Sequence, residues 1–79
     1  PNPFNPATNI SFQLATDGYV KIDIYNINGQ LIDSIVDQKY TPGYYSYNWN
    51  ANKYSSGVYF INLNIDDNYN EVKKVILIK

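Results

Sequence analysis

Seventy-nine residues are enough for one domain, and six lysines against seven carboxylates leave a formal net charge of −1, a poor electrostatic footprint for nucleic acid, where affinity comes from neutralising phosphates. The absence of cysteine and histidine removes disulfides, thiolates, a Ser-His-Asp triad and histidine-ligated zinc. The longest apolar run, Val75 to Ile78, falls far short of the ~20 residues that span a bilayer, so a soluble domain with no transmembrane segment, no cofactor, no metal and no catalytic residue is expected.

The chain opens on Pro1-Asn2-Pro3-Phe4-Asn5-Pro6 with no start methionine, which reads as a piece of a longer polypeptide whose signal peptide lies upstream. Each residue before a proline is pushed toward extended conformations. The segment is therefore expected to be a stiff lead-in, with Asn5-Pro6-Ala7-Thr8 turning into the first strand and Phe4 plugging one open end of the fold. Its bare P-x-x-P spacing is a low-specificity match to Pro-recognising domains. Ile10, Phe12 and Leu14 alternate with polar residues, and Val20, Ile22 and Ile24 repeat the pattern with Tyr19, Lys21, Asp23 and Tyr25 facing the other way. Asp17-Gly18 and Asn28-Gly29 offer residues that tolerate positive φ, the latter a strong hairpin signal. Leu31 to Val36 carries apolar residues on both parities, which suits a strand that bends or changes face midway.

Pro42-Gly43 fits a type II turn, with glycine in the left-handed position. Tyr45, Tyr47 and Trp49 then form an aromatic face, and Ser56-Gly57 opens the run Tyr59, Ile61, Leu63 and Ile65. Asp66-Asp67-Asn68 reads as a hairpin tip, and Tyr69 to Ile78 shifts from alternating to nearly continuous. Helical spacing does not persist over three turns anywhere, and six runs at nearly even spacing predict an all-β sandwich.

Two binding readings stand beside a purely structural one. Asp66, Asp67, Asn68, Asn70 and Glu71 crowd oxygen donors of the kind calcium takes, without the spacing or glycine of an EF-hand loop. Tyr45, Tyr47 and Trp49, extended by Tyr19, Tyr25, Tyr44 and Tyr54, would make a sugar platform if three or more rings lay coplanar and accessible. The competing use for such rings is core filling, since each buries about 150–250 Å².

The segments PNPFNPATNISFQL, VKIDIYNINGQLI, SSGVYFINL and KKVILIK, in that order, span essentially the whole chain. Together they resemble the C-terminal sorting domain of the type IX secretion system of Bacteroidetes and related phyla. An Ig-like module of flagellar hook-capping proteins is the nearest related pattern; the lysine-framed final strand favours the sorting domain. The resemblance implies a single Ig-like antiparallel β-sandwich of about seven strands over residues 1–79, at the C-terminus of a larger secreted protein. It also implies a non-catalytic export signal: cargo reaches the periplasm by an ordinary signal peptide, and the outer-membrane translocon reads the folded tag. A surface cysteine peptidase then removes it while joining the cargo to a lipopolysaccharide anchor, leaving the cargo at the cell surface or in the medium. By resemblance, recognition would involve Gly29, Gly57 and Tyr59, with Lys73, Lys74 and Lys79 on the final strand. The chain departs from the pattern at Leu14-Ala15-Thr16-Asp17-Gly18, where relatives often place a proline after the leucine. The alternative is an accessory β-sandwich of an extracellular enzyme, either a spacer or a carbohydrate-binding module.

Overall fold

A computed structural model describes residues 7–79, which form six β-strands and no helix. These are β1 (Ala7–Leu14), β2 (Gly18–Asn26), β3 (Leu31–Tyr40), β4 (Gly43–Asn50), β5 (Gly57–Ile65) and β6 (Tyr69–Leu77). Each alternating run yields one strand and none splits, so the described residues hold one strand fewer than the family pattern suggests. The strands pair antiparallel in two sheets, one of order β3-β2-β5-β6 and one of order β1-β4. Alternation dictates this arrangement: a strand whose every second residue is apolar must press that face against a second layer.

The inward faces are those the alternation predicts. Val20, Ile22 and Ile24 on β2 and Ile61 and Leu63 on β5 meet Ile10 and Phe12 on β1, Trp49 on β4, and Val75 and Leu77 on β6. In the last strand the continuous run is resolved by the pleat, which turns Val75 and Leu77 inward and leaves Ile76 half-buried on the other face. Strand β3 changes face as its mixed parity demands. The register with β2 slips between Ile22 and Asp23 and again between Ile24 and Tyr25, skipping Ile35 and Ile32. These irregularities let Ile32, Ile35 and Val36 all pack on the core, which a regular strand with period two forbids.

Two turns differ from expectation. Gly18 opens β2 with no positive φ; its constraint is space, because a Cβ there would lie 3.3 Å from both Asp66 Oδ2 and Ile65 Cγ2. Gly43 takes φ +152°, and Pro42-Gly43 carries the chain from one sheet to the other instead of closing a type II hairpin. The Asp66-Asp67 tip is a hairpin turn with both aspartates left-handed (φ 55° and 58°) and Asn68 N–H donating to Ile65 O at 3.0 Å. That pair of positive φ values is the type I′ geometry that matches strand twist.

Aromatic trios close both ends of the core. Phe12, Tyr40 and Tyr45 pack at 4.6–5.3 Å between centroids at the end where β1 finishes. Trp49, Tyr54 and Tyr59 pack at 5.8–6.3 Å at the end where β1 begins. Pairing of Ala7 with Asn50, Asn26 with Tyr59 and Gly57 with Leu77 brings four chain segments to this second end. Phe4, expected to plug an open end, lies outside the described residues.

Candidate recognition surface at one end of the sandwich

Of the residues singled out in the sequence, Gly29, Gly57, Tyr59 and Lys79 lie at the Trp49 end. The β2–β3 turn there is organised by Asn26, whose side-chain oxygen accepts from the N–H groups of Asn28 (2.9 Å) and Gln30 (3.0 Å) while its amide donates to Gln30 Oε1 (2.7 Å). Gly29 N–H donates to Asn26 O and Asn26 N–H to Gln30 O, both at 3.0 Å. Only Gly29 has positive φ in this turn (+79°), which makes it a three-residue loop ending in a left-handed glycine instead of a two-residue Asn-Gly turn. A Cβ on Gly29 would meet nothing within 4 Å, so backbone conformation alone calls for glycine here.

Across from this turn, Gly57 starts β5 with φ +155° and open space around it. Tyr59 follows, but it is 6% exposed, part of the core, with its hydroxyl donating to Ser55 O at 2.7 Å. A tyrosine whose hydroxyl ties back to the chain four residues upstream is the corner device of Ig-like sandwiches. Tyr59 therefore holds the Ser55-Ser56-Gly57 segment in place from beneath, and it also lines the cleft beside that segment.

The lysines do not form one surface. Lys73 and Lys74 are adjacent on β6, so the pleat sends them to opposite faces. Lys73 shares the parity of Val75 and borders a cavity of about 230 Å³ between β1 and β6, together with Thr8, Ile10, Leu63 and Glu71. Lys74 pairs with Phe60 and stands on the outer face of the four-stranded sheet. Lys79 lies at the Trp49 end, where its backbone N–H donates to Ser56 Oγ at 3.1 Å and its ammonium donates to Asn52 O. Lys79 thus fastens the end of the chain to the β4–β5 connection, near Gly57 and away from Lys73.

The β4–β5 connection is itself pinned. Tyr54 hydroxyl lies 3.2 Å from both Ile32 O and Asp33 Oδ2, and Lys53 Nζ sits 5.5 Å from the Tyr54 ring centroid. Burial, and next the hydrogen bond to the Asp33 carboxylate, raise the Tyr54 pKa above the usual tyrosine value. On the sheet's outer face, the hydrogen bond to Asp37 is the main cause that raises the Tyr19 pKa. A cleft of about 540 Å³ opens between the two loops, lined by Ile27 and Asn28 on one side and Lys53, Ser56, Gly57 and Val58 on the other.

The other candidate groups are occupied by structure. Asp66 Oδ1 accepts from Tyr19 N–H at 2.8 Å, Asn64 Oδ1 accepts from Asp67 N–H at 3.1 Å, and Tyr69 hydroxyl donates to Glu71 at 3.4 Å. Among the described residues no group of three carboxylates is placed to hold a metal ion. Tyr45 and Trp49 pack on the core, with Trp49 only 2% exposed, whereas Tyr47 on the same strand is 38% exposed, so the three do not make an accessible platform of rings. No helix of the described residues is long and apolar enough to cross a membrane.

A family model described as a secretion system C-terminal sorting domain matches residues 1–79, the whole chain. The chain belongs to this family, the type IX sorting domains. No curated protein and no solved structure matched it. The sorting domain is a C-terminal signal for type IX secretion, and membership implies linkage to an upstream cargo, the type IX machinery and export to the surface or medium. Asn26 is the residue of this end that the sequence reading passed over; its signal was an asparagine placed before an apolar residue and Asn-Gly, where a side-chain oxygen can nucleate a turn.

Proposed function

We propose that this sorting domain is a non-catalytic, folded address tag that carries an upstream cargo protein through the outer-membrane type IX translocon to the cell surface or medium. The observation that supports the reading is convergence. The Gly29 turn and the Ser56-Gly57 strand start line one cleft at the end of the sandwich where β1 begins, and Lys79 is hydrogen-bonded to Ser56 beside it. A receptor docked there would read backbone shape from three chain segments that only the folded domain brings together. Gly57 and the Gly29 turn border the cleft with Lys79 fastened beside it, Tyr59 supports it from the core, Lys74 stands on the outer face of the four-stranded sheet, and Lys73 faces the β1–β6 side. A surface cysteine peptidase acting between tag and cargo, as the family pattern implies, would complete the route to an anchored product. Catalysis by the domain itself has little to draw on, because the sequence contains neither histidine nor cysteine.

The test is competition. The 79-residue domain, expressed free in the periplasm of a type IX-competent bacterium, is expected to lower release of the host's own type IX cargo in proportion to its level. Unchanged release at a large excess of folded domain would contradict recognition of this tag by the translocon. The carbohydrate-binding alternative has no support in the placement of Tyr45, Tyr47 and Trp49.

A further inference from the structure

Asn28-Gly29 is the one Asn-Gly dipeptide in the chain, and it carries a chemistry separate from its use as a turn. An asparagine side chain can be attacked by the backbone nitrogen of the next residue, and glycine in that position, with no Cβ, leaves the approach uncrowded. Both reacting groups are accessible here. Asn28 is exposed, and its side-chain amide has no hydrogen-bond partner among the described residues. A Cβ on Gly29 would meet nothing within 4 Å. Released from the turn, these two residues are free to close a ring.

The folded turn works against that closure. The attacking atom is the Gly29 nitrogen, which must give up its proton, and Gly29 N–H donates to Asn26 O at 3.0 Å. The peptide units on either side are also held. Asn26 Oδ1 accepts from Asn28 N–H at 2.9 Å and from Gln30 N–H at 3.0 Å, and Asn26 N–H donates to Gln30 O at 3.0 Å. Swinging the Gly29 nitrogen onto Asn28 Cγ rotates the peptide between the two residues and breaks into this set. A hairpin tip opens locally at lower cost than the core, so the rate in the folded chain follows the fraction of time the turn is open.

We infer that Asn28 is a site of spontaneous deamidation, and that Asn26 is the positioning residue that protects it while the β2–β3 turn is closed. Water is the co-reactant. Gly29 N forms a bond to Asn28 Cγ, the bond from Cγ to Nδ2 breaks, and ammonia leaves with the proton that Gly29 N lost. Water then opens the ring in either of two ways. Cleavage between Gly29 N and Cγ leaves an aspartyl residue at position 28. Cleavage between Gly29 N and the Asn28 backbone carbonyl carbon leaves an isoaspartyl residue, whose main chain is longer by a methylene. Either product puts a carboxylate at a position that lines the cleft with Lys53. The isoaspartyl form also spoils the spacing at which one Asn26 oxygen spans Asn28 N–H and Gln30 N–H, so the change marks chains whose turn has been open.

The test ages the 79-residue chain in mildly alkaline buffer and follows position 28 by peptide mapping and mass spectrometry, separating asparaginyl, aspartyl and isoaspartyl forms. Four samples are compared: the folded parent, the parent unfolded in guanidinium chloride, Asn26→Ala, and Asn26→Asp, which keeps the accepting oxygen. Asn52 and Asn70, exposed and followed by Lys53 and Glu71, serve as references within each chain. In denaturant Asn28 is expected to convert ahead of both references. The folded parent should convert about fivefold more slowly or less, the factor that one net hydrogen bond supplies. Folded Asn26→Ala should move toward the unfolded rate, and Asn26→Asp should stay near the parent.

Conversion of Asn28 in denaturant no faster than Asn52 and Asn70 overturns the site. Equal rates in the folded and unfolded parent, a parent-like rate in folded Asn26→Ala, or an Asn26→Asp rate equal to that of Asn26→Ala overturns the protection by Asn26. A thermal melt establishes that each variant is folded at the ageing temperature. Should Asn26→Ala unfold, hydrogen exchange at the Gly29 and Gln30 amides of the parent replaces it: protection is expected, and exchange at the rate of free amides overturns the closed turn as the guard.

Discussion

Replacing Ile22 with aspartate tests the core most severely. Ile22 is fully buried at the centre of β2, paired with Val36 on one side and Leu63 on the other, beneath the β1–β4 layer. Losing its burial costs about 1.5–3 kcal/mol, and a carboxylate without a partner in that position costs several kcal/mol more, or shifts its pKa at similar expense. A domain of 79 residues, at roughly 0.05–0.15 kcal/mol per residue, has a total stability of about 4–12 kcal/mol. The substitution therefore consumes most or all of it. The assay is thermal and urea unfolding followed by circular dichroism and by Trp49 fluorescence, since Trp49 is 2% exposed and its emission should shift red on unfolding. Ile22→Val, costing about 0.5–1.5 kcal/mol, calibrates the scale, and Leu63→Asp on the neighbouring strand should behave like Ile22→Asp. A cooperative melt of Ile22→Asp within a few degrees of the parent would refute the assignment of this face to the core.

Gly29→Ala should lower stability by about 1–2 kcal/mol, the cost of a left-handed L-residue, with no added clash because the Cβ position is open; Gly29→Asn should cost less, and equal melts for glycine and alanine would contradict the turn. Lys73, Lys74 and Lys79 changed together to alanine should leave stability within about 1 kcal/mol while impairing export, and undiminished release would remove these lysines from recognition. Tyr54, with its pKa raised by burial and then by Asp33, contributes stability that is present below the ordinary tyrosine value of about 10 and is lost as pH rises through its folded-state value. Unfolding curves from about pH 8 to 11 should therefore show a shallower alkaline decline for Tyr54→Phe than for the parent, and parallel declines would contradict the Tyr54–Asp33 contact.

How much of this was legible in the sequence depends on whether a feature is local. Alternation placed Val20, Ile22, Ile24, Ile61 and Leu63 on the core face because the period of two is a property of each strand alone. The mixed parity of Leu31 to Val36 signalled a change of face, and the register slips at Ile32 and Ile35 supply it. Gly18 was misread because its constraint comes from Ile65 and Asp66, which lie far along the chain. The lysines of the last strand looked like one motif, yet adjacency in a strand separates Lys73 from Lys74. Tyr59 carried both a core and a recognition reading; it is buried in the core and also lines the cleft, so the two readings are compatible.

The most direct measurement is an export assay in which residues 1–79 are fused behind a periplasm-targeted fluorescent reporter, in a type IX-competent bacterium and in a translocon-null strain. The account predicts fluorescence at the surface or in the medium of the first strain and in the periplasm of the second. Folded, stable fusion retained in the periplasm of both strains would contradict it.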